Sequence, residues 1–384
     1  MNIPFYKMPK SGTELSYIEN VIKSGWLTSG KMVEIFEKKL RNYIGCQYAL
    51  VVNSCTSALH LALKALDIKN GDKVFVPTLT FSATAEAVTY LNAIPIFLDI
   101  DPRSGLITPD ILINSLNSNP DIKAIIVVHY GGQVAKMRDP TGIGILDICR
   151  ERNIKIIEDC AHSFGSKLNR QHSGTFGDIG CFSFYANKCI TTGEGGLVVT
   201  DSLELANRVS RLRLHGMTSS TFERVGWEYD ISEFGYKYNM SDINAAVGIA
   251  QLEKADIFRI KRERVARLYI SILSDDRNIQ LLKLNENESI HSWHLFPVLI
   301  NTHRNVRDRV YDIMKEEGIH LSVHYKPLHK MSAYKKYLYP DKNKFIGANE
   351  FFHKCISLPI YPDLKNSDVI HIAKTLKRIV GKCI

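Results

Sequence analysis

The sequence predicts an α/β protein built on a mostly parallel sheet, and three observations carry that prediction. Between residues 48 and 200, short Val- and Ile-rich runs alternate with helical patterns. The runs are apolar on both faces, as expected of strands buried between helical layers. A chain of 384 residues, 45% hydrophobic and 23% charged, is also long and apolar enough for one large unit and a smaller companion.

The candidate strands are Tyr48–Asn53, Lys73–Pro77, Ile94–Ile100, Ala124–Tyr130, Ile154–Asp159, Gly180–Phe184 and Gly196–Thr200. Helical spacing falls between most of them, at Cys55–Leu66, Ser82–Leu91 and Pro140–Arg152, the last opening with a Pro suited to a helix start. Alternation of this kind gives parallel strands. The final two strands lack a long helix between them, so part of the sheet is open to antiparallel pairing. Ahead of the block, residues 11–44 read as two helices split by the turn Lys23-Ser24-Gly25-Trp26-Leu27-Thr28-Ser29-Gly30. Leu203–Leu214 reads as a helix, and 216–238 as a long polar and aromatic excursion. Ser241–Ile260 reads as a long helix continuing to about 274. The second unit then holds strands at His294–Ile300 and near Leu321–His324, and helices at Val306–Glu317 and Ser367–Val380. The boundary falls near 255–265, giving a large unit over 1–255 and a small α+β unit over 256–384.

Composition excludes several classes. No run of 18 apolar residues occurs and the first ten residues lack an apolar signal core, so a membrane span and secretion are not expected. Eight cysteines without a CxxC pair suit reduced thiols, not a disulfide framework or a metal site. A cytoplasmic protein is expected. The net charge of +9 is uneven: residues 1–200 carry 20 Lys and Arg against 18 Asp and Glu, residues 201–384 carry 29 against 22. The densest basic run, Lys261-Arg262-Glu263-Arg264, reads as a solvated helix face in preference to a nucleic-acid stripe. A positive bias also suits phosphorylated small ligands.

Three elements point to chemistry. In Phe182-Ser183-Phe184-Tyr185-Ala186-Asn187-Lys188, a strand ends and a Lys follows, before the Gly-rich turn Gly193-Glu194-Gly195-Gly196. A partly desolvated amine there can lose its proton and join an aldehyde, although a lone loop Lys is ordinarily an exposed charge. Asp159, at the end of a buried strand, points into the crevice where α/β proteins bind ligands. It suits either the partner of a pyridinium nitrogen or a helix N-cap. Asn53-Ser54-Cys55-Thr56-Ser57-Ala58 hands a strand to a helix through small hydroxyl residues, which makes a phosphate cup or simply a cap. The cup lacks the glycines of nucleotide-triphosphate and dinucleotide loops. The order of the three fits one bound pyridoxal phosphate.

On these residues the chain resembles the DegT/DnrJ/EryC1/StrS family of sugar-nucleotide aminotransferases, from Ser24 to about Pro362. The matching stretches include Ser24–Gly30, Asn53–His60, Val76–Phe81, Glu158–His162 and Gly177 through Lys188 to Gly196. The resemblance implies the aspartate-aminotransferase fold (fold type I), with a seven-stranded, mostly parallel sheet. It makes Lys188 the Schiff-base lysine, Asp159 the partner of the pyridine nitrogen and His162 the neighbour of the ring hydroxyl. Phe81 would stack on the cofactor, and Ser54, Cys55, Thr56 and Ser183 would surround its phosphate. It further implies a homodimer with shared active sites, in which Gly235-Tyr236-Lys237-Tyr238-Asn239-Met240 reaches the partner's cofactor phosphate. Lys237 and Asn239 depart here from the commoner Asn-Tyr-Arg pattern.

The sequence Thr191-Thr192-Gly193-Glu194-Gly195-Gly196 resembles members acting at C4 of the sugar, not those acting at C3. The resemblance thus implies transfer of an amino group from glutamate to a 4-keto-6-deoxy sugar nucleotide, with the cofactor cycling between pyridoxal and pyridoxamine 5'-phosphate. Tyr130, Glu194, His324, Tyr325 and His329 are the candidate substrate residues, and His129 joins Tyr130 as a possible cleft residue. No metal and no nucleic acid are expected. A C3-acting transaminase, a pyridoxamine-dependent sugar dehydrase and a non-catalytic regulator are the alternatives. The dehydrases replace the lysine that Lys188 supplies, and a regulator would not need the Lys188, Asp159 and His162 set.

Overall fold

In the computed structural model, residues 2–139, 142–218, 227–285, 289–338 and 345–384 are described. Among the described residues nine strands precede residue 201: β1 (Tyr48–Val52), β2 (Lys73–Pro77), β3 (Ile94–Leu98), β4 (Ile122–Val128), β5 (Lys155–Asp159), the short hairpin β6 (Lys167–Leu168) and β7 (Gln171–His172), β8 (Ile179–Ser183) and β9 (Gly196–Thr200). Seven of them form one sheet in the order β1-β9-β8-β5-β4-β2-β3. The β8-β5-β4-β2-β3 run is parallel. β9 is antiparallel to both its neighbours, β1 and β8, where the sequence has no intervening helix.

Helices α1 (Glu14–Ser24) and α2 (Lys31–Ile44) precede the sheet. Helices α3 (Cys55–Ala65), α4 (Ala83–Thr89), α5 (Pro109–Ser118) and α6 (Ile145–Glu151) are interleaved with its strands, and α7 (Leu203–Leu212) follows it. The sheet strands are buried along almost their whole length, and their Val and Ile side chains form the largest core with α3, α4 and α7. This two-sided burial is why these strands are continuously apolar. Because β1, β2, β4, β5 and β8 all run the same way, their carboxyl ends, and the loops that leave them, gather at one end of the sheet. β9 begins there.

Beyond α8 (Asp242–Leu252) and α9 (Ala255–Leu273), a three-stranded antiparallel sheet is made by β10 (Ile279–Leu281), β11 (Phe296–Ile300) and β12 (Cys355–Leu358). It packs with α9, α10 (Arg304–Glu316) and α12 (Asn366–Cys383) around a separate core containing Val265, Tyr269, Val298, Val310 and Ile372. Helix α11 (Ile346–Lys354) leads into β12.

Four expectations change. The long helix expected from 241 to about 274 is two helices, broken at Lys254, whose φ/ψ of −114/7 is not helical. At the break, Glu253 is held by the Tyr17 hydroxyl at 2.8 Å. The strand expected near Leu321–His324 is only a bridge between Ser322 and Ser357, since the chain leaves the ladder to carry His324 and Tyr325 inward. The helix expected from Pro140 begins at Ile145, and residues 140–141 lie outside the described residues, as do 219–226 of the 216–238 excursion. The basic run at 261–264 is not a solvated face throughout. Arg262 is buried and donates to the carbonyls of Trp293 and Ile360, while Arg264 holds the carbonyls of Pro362 and Leu364. These cations tie α9 to the 360–364 segment.

Candidate active site

At the carboxyl end of the large sheet lies a cavity of about 510 Å³. The end of β1 and the start of α3 supply Ser54, Cys55 and Thr56; the loop after β2 supplies Thr80 and Phe81; α4 supplies Thr84. β5 and its following turn supply Asp159 and His162, β8 and its loop supply Ser183, Tyr185, Asn187 and Lys188, and the turn into β9 supplies Glu194. His324 and Tyr325 come from the small-sheet side.

The wall at α3 is a helix N-terminus. Ser54 sits at extended φ/ψ and caps the helix, its Oγ accepting from the Ser57 amide at 3.1 Å. The first-turn amides of α3 lack intrahelical acceptors and favour an anion. Close approach of β9 is part of this wall. A Cβ on Gly196 would sit 2.4 Å from the carbonyl carbon and oxygen of Ser54, so only glycine fits there.

Asp159 is buried, with Oδ2 accepting from the Thr84 hydroxyl at 2.9 Å and Oδ1 from the Ala161 amide at 3.1 Å. Thr84 is in turn 2.7 Å from the Thr80 hydroxyl. Burial pushes the Asp159 pKa above the usual carboxylate range, against the downward pull of those two donors and of Lys188. Its two donors are thus not full compensation, and a cation beside it would keep it ionised. Burial pushes the Lys188 ammonium the other way, below the usual lysine range, although Asp159 and the neighbouring thiols oppose this. The cavity therefore presents an amine biased toward its nucleophilic form, a carboxylate in want of a positive partner and a dianion seat at a helix end. These three features fit the aldehyde, the ring nitrogen and the phosphate of pyridoxal phosphate.

His162 is buried, with Nδ1 accepting from the Gly131 amide at 3.3 Å and Nε2 2.9 Å from the Tyr325 hydroxyl. Desolvation, then Lys188, holds it well below the ordinary histidine range. Desolvation also lowers His324 to about 3, and its Nδ1 is 2.9 Å from the Ser357 hydroxyl. Phe81 projects at the rim, 60% exposed, with its ring 6.0 Å from that of Tyr325.

Other expected site residues lie elsewhere. Tyr130 does not line the cavity: it is buried in the main core, its ring packs edge-on against Phe351, and its hydroxyl donates to the His324 carbonyl at 2.5 Å. His129 is fully buried beside it, 2.8 Å from Glu158. His329 is outside the lining too, bonded to Thr78 at 2.8 Å and stacked on Phe345. It pins the 328–331 segment to the end of β2. Lys237 and Asn239 are bonded to each other at 2.7 Å, and Asn239 donates to Ser29. Neither reaches this chain's cavity.

Thr80, Thr84, Tyr185 and Asn187 line the cavity without having been singled out in the sequence. The local sequence of Thr80 and Thr84 carries no distinguishing signal, since Thr80 lies in the loop ahead of α4 and meets Thr84 only through the turn between them. Three potential metal ligands, His129, Glu158 and Cys160, also cluster. The Glu158 oxygens there are occupied by His129 and by the amides of Gly174, Phe176 and Gly177, at 2.7–2.8 Å, so the cluster is a hydrogen-bonded support under β5.

Fold and cavity together define a fold-type-I aminotransferase-like protein. Residues 10–377 match the model of the DegT/DnrJ/EryC1/StrS aminotransferase family, and the chain belongs to that family. It is 40% identical over 375 residues to the uncharacterised protein MJ1066 of Methanocaldococcus jannaschii, covering 96% of this chain and 95% of that one. It is 34% identical to the spore coat polysaccharide biosynthesis protein SpsC of Bacillus subtilis, over 98% and 96% of the two chains. Spr1654 of Streptococcus pneumoniae, assigned as a sugar aminotransferase, superposes with a TM-score of 0.90 in its PMP form and 0.89 in its PLP form. Both show 29% identity and full coverage of both chains. Among the described residues, no helix is long and apolar enough to cross a membrane.

Proposed function

We propose that this chain is a pyridoxal-phosphate-dependent aminotransferase that moves an amino group from glutamate to a 4-keto-6-deoxy sugar nucleotide, for polysaccharide or glycan biosynthesis. The observation that carries the reading is the convergence of Lys188, Asp159 and the α3 N-terminus on one cavity. The PLP and PMP forms of Spr1654 and the polysaccharide role in the name of SpsC support it.

In this reading Lys188 holds the aldehyde end, Asp159 the ring nitrogen, Phe81 a ring face, and Ser54, Cys55, Thr56 and Ser183 the phosphate. When bound, the cofactor supplies an electron sink for a carbon that has lost a proton. With the cofactor bound, Lys188 Nζ would take that proton from the amino-bearing carbon of glutamate and deliver it to the carbon that had carried the cofactor's aldehyde, after which water would release 2-oxoglutarate and leave the nitrogen on the cofactor. The same atom moves the proton back when the keto sugar accepts the nitrogen. Burial lowers the Lys188 pKa, which favours the unprotonated amine that the first step uses. Asp159 stays ionised once a cationic ring nitrogen faces it. His324, Tyr325 and Glu194 line the same cavity and are the residues proposed to meet the sugar nucleotide.

The reading includes a cytoplasmic homodimer in which Lys237 and Asn239 serve the partner's cavity, and a division into a large unit over 1–255 and a small one over 256–384. Mixing an inactive Lys188→Ala chain with an inactive Asn239→Ala chain should restore part of the activity if cavities are shared, and none if they are not.

The deciding experiment supplies glutamate with UDP-, GDP- and dTDP-linked 4-keto sugars, follows 2-oxoglutarate and determines the product by NMR. A 4-amino product is expected. Nitrogen at C3 would overturn the positional assignment, and no turnover with any keto sugar would overturn the substrate class.

A further inference from the structure

His162 is gripped from several sides. Its Nδ1 faces the backbone N–H of Gly131 at 3.3 Å, in a turn where Gly131 has φ of 67°. Its Nε2 lies 2.9 Å from the Tyr325 oxygen. Its carbonyl accepts from the Ser292 hydroxyl at 2.7 Å, and its ring packs on that of His294 with centroids 4.5 Å apart. Gly132 allows the approach of the 292–294 segment, since a Cβ there would lie 2.2 Å from Ser292 Oγ. Ser292, His294 and Tyr325 all come from the small-sheet side of the chain, so the ring has little freedom to turn.

These contacts leave one arrangement of hydrogens. An amide N–H can only donate, so the nitrogen facing it must carry a lone pair; Nδ1 is therefore unprotonated. A neutral imidazole then bears its hydrogen on Nε2, the nitrogen that faces Tyr325. If the tyrosine donated to Nε2 instead, Nδ1–H would oppose the Gly131 N–H, donor against donor. An imidazolium meets the same conflict, in a buried site that also holds Lys188, His294 and His324.

We infer that His162 is a positioning residue, locked as the Nε2-protonated neutral tautomer. It donates to the Tyr325 hydroxyl and thereby turns the Tyr325 O–H into the cavity as the direct donor to a phenolate or carbonyl oxygen of the ligand. The second half rests on the proposed cofactor and differs from the role the sequence suggests for His162, which puts the imidazole itself beside the ring hydroxyl. The tautomer does not rest on the cofactor.

The test therefore has two arms. In [15N]histidine-labelled protein without added cofactor, the His162 signals are those missing from a His162→Gln variant. The protonated ring nitrogen should couple to both carbon-bound ring protons, which marks it as Nε2. A protonated Nδ1, or a doubly protonated ring at neutral pH, overturns the inference. In the second arm pyridoxal phosphate is titrated. Tyr325→Phe should shift the visible band of the bound cofactor, and His162→Leu should shift it in the same direction. Their double variant should be no worse than either single one. His162→Gln, which can accept from Gly131 and donate to Tyr325, should retain about tenfold more affinity than His162→Leu, the scale of one hydrogen bond to a charged group. An unchanged band in Tyr325→Phe beside a large change in His162→Leu means that the imidazole acts directly, and the inference fails. If the unaltered protein binds no pyridoxal phosphate, the cofactor reading fails and the first arm alone judges the tautomer.

Discussion

Thr84 donates its hydroxyl to Oδ2 of Asp159 across 2.9 Å, joining the first turn of α4 to the end of β5. The bond is made inside the protein, to a carboxylate that burial pushes toward its protonated form. Removing the donor takes away one of the forces opposing that push. Thr84→Val should therefore raise the Asp159 pKa further and weaken pyridoxal phosphate binding about tenfold, the lower end for a charge-assisted bond. Asp159→Asn should weaken it more. Absorbance titration reads both, and unchanged affinity in the two variants would remove Asp159 from the cofactor site.

Lys188 is the only lysine lining the cavity among the described residues. Borohydride reduction of the cofactor-loaded protein should attach the cofactor's mass to the tryptic peptide containing Lys188. Lys188→Ala should show no such adduct and no transamination. An adduct on another residue would displace Lys188 from its role.

Glu158, fully buried, holds His129 and three loop amides at once. Glu158→Leu leaves all of those donors unpaired, and should cost about 3–5 kcal/mol of stability by chemical denaturation. The exposed Lys23–Glu19 pair is the control, since Glu19→Gln should cost no more than about 1 kcal/mol. Equal losses at the two positions would mean that the buried network does not support β5.

His172 titrates near 4 in the folded chain, lowered chiefly by burial. Its Nδ1 pairs with the Ser173 carbonyl at 2.7 Å and its Nε2 accepts from the Gly165 amide at 3.1 Å, so a second proton has no place. Between the unfolded value near 6.5 and the folded value near 4, only the unfolded chain takes up the proton. Stability should then fall as pH drops through that window, by about 3 kcal/mol from this residue alone. Denaturation curves at pH 7 and pH 4.5 should converge by roughly that amount in His172→Gln. A variant that keeps the full pH dependence would assign it to other buried groups.

The sheet was legible because strands buried on both sides must be apolar throughout, a local property that reads directly from Tyr48–Val52 to Gly196–Thr200. The short small-sheet strands Ile279–Leu281 and Cys355–Leu358 were not, because three or four residues carry too little period. Helix α5 also went unread. Lys188, Asp159 and the α3 cap could be read because each stands at a strand end, and strand direction alone brings such ends together.

Sequence by itself determined the order of the large-sheet strands, the family pattern and the three features that converge on the cavity. Tertiary structure alone decided which polar side chains face one another across long stretches of chain: that Thr84 supports Asp159, that Tyr325 meets His162, and that Tyr130 and His329 serve as internal braces away from the cavity. Local residue pattern specifies how a segment folds, whereas a hydrogen bond between residues some 75 or 163 positions apart exists only once packing has set both backbones.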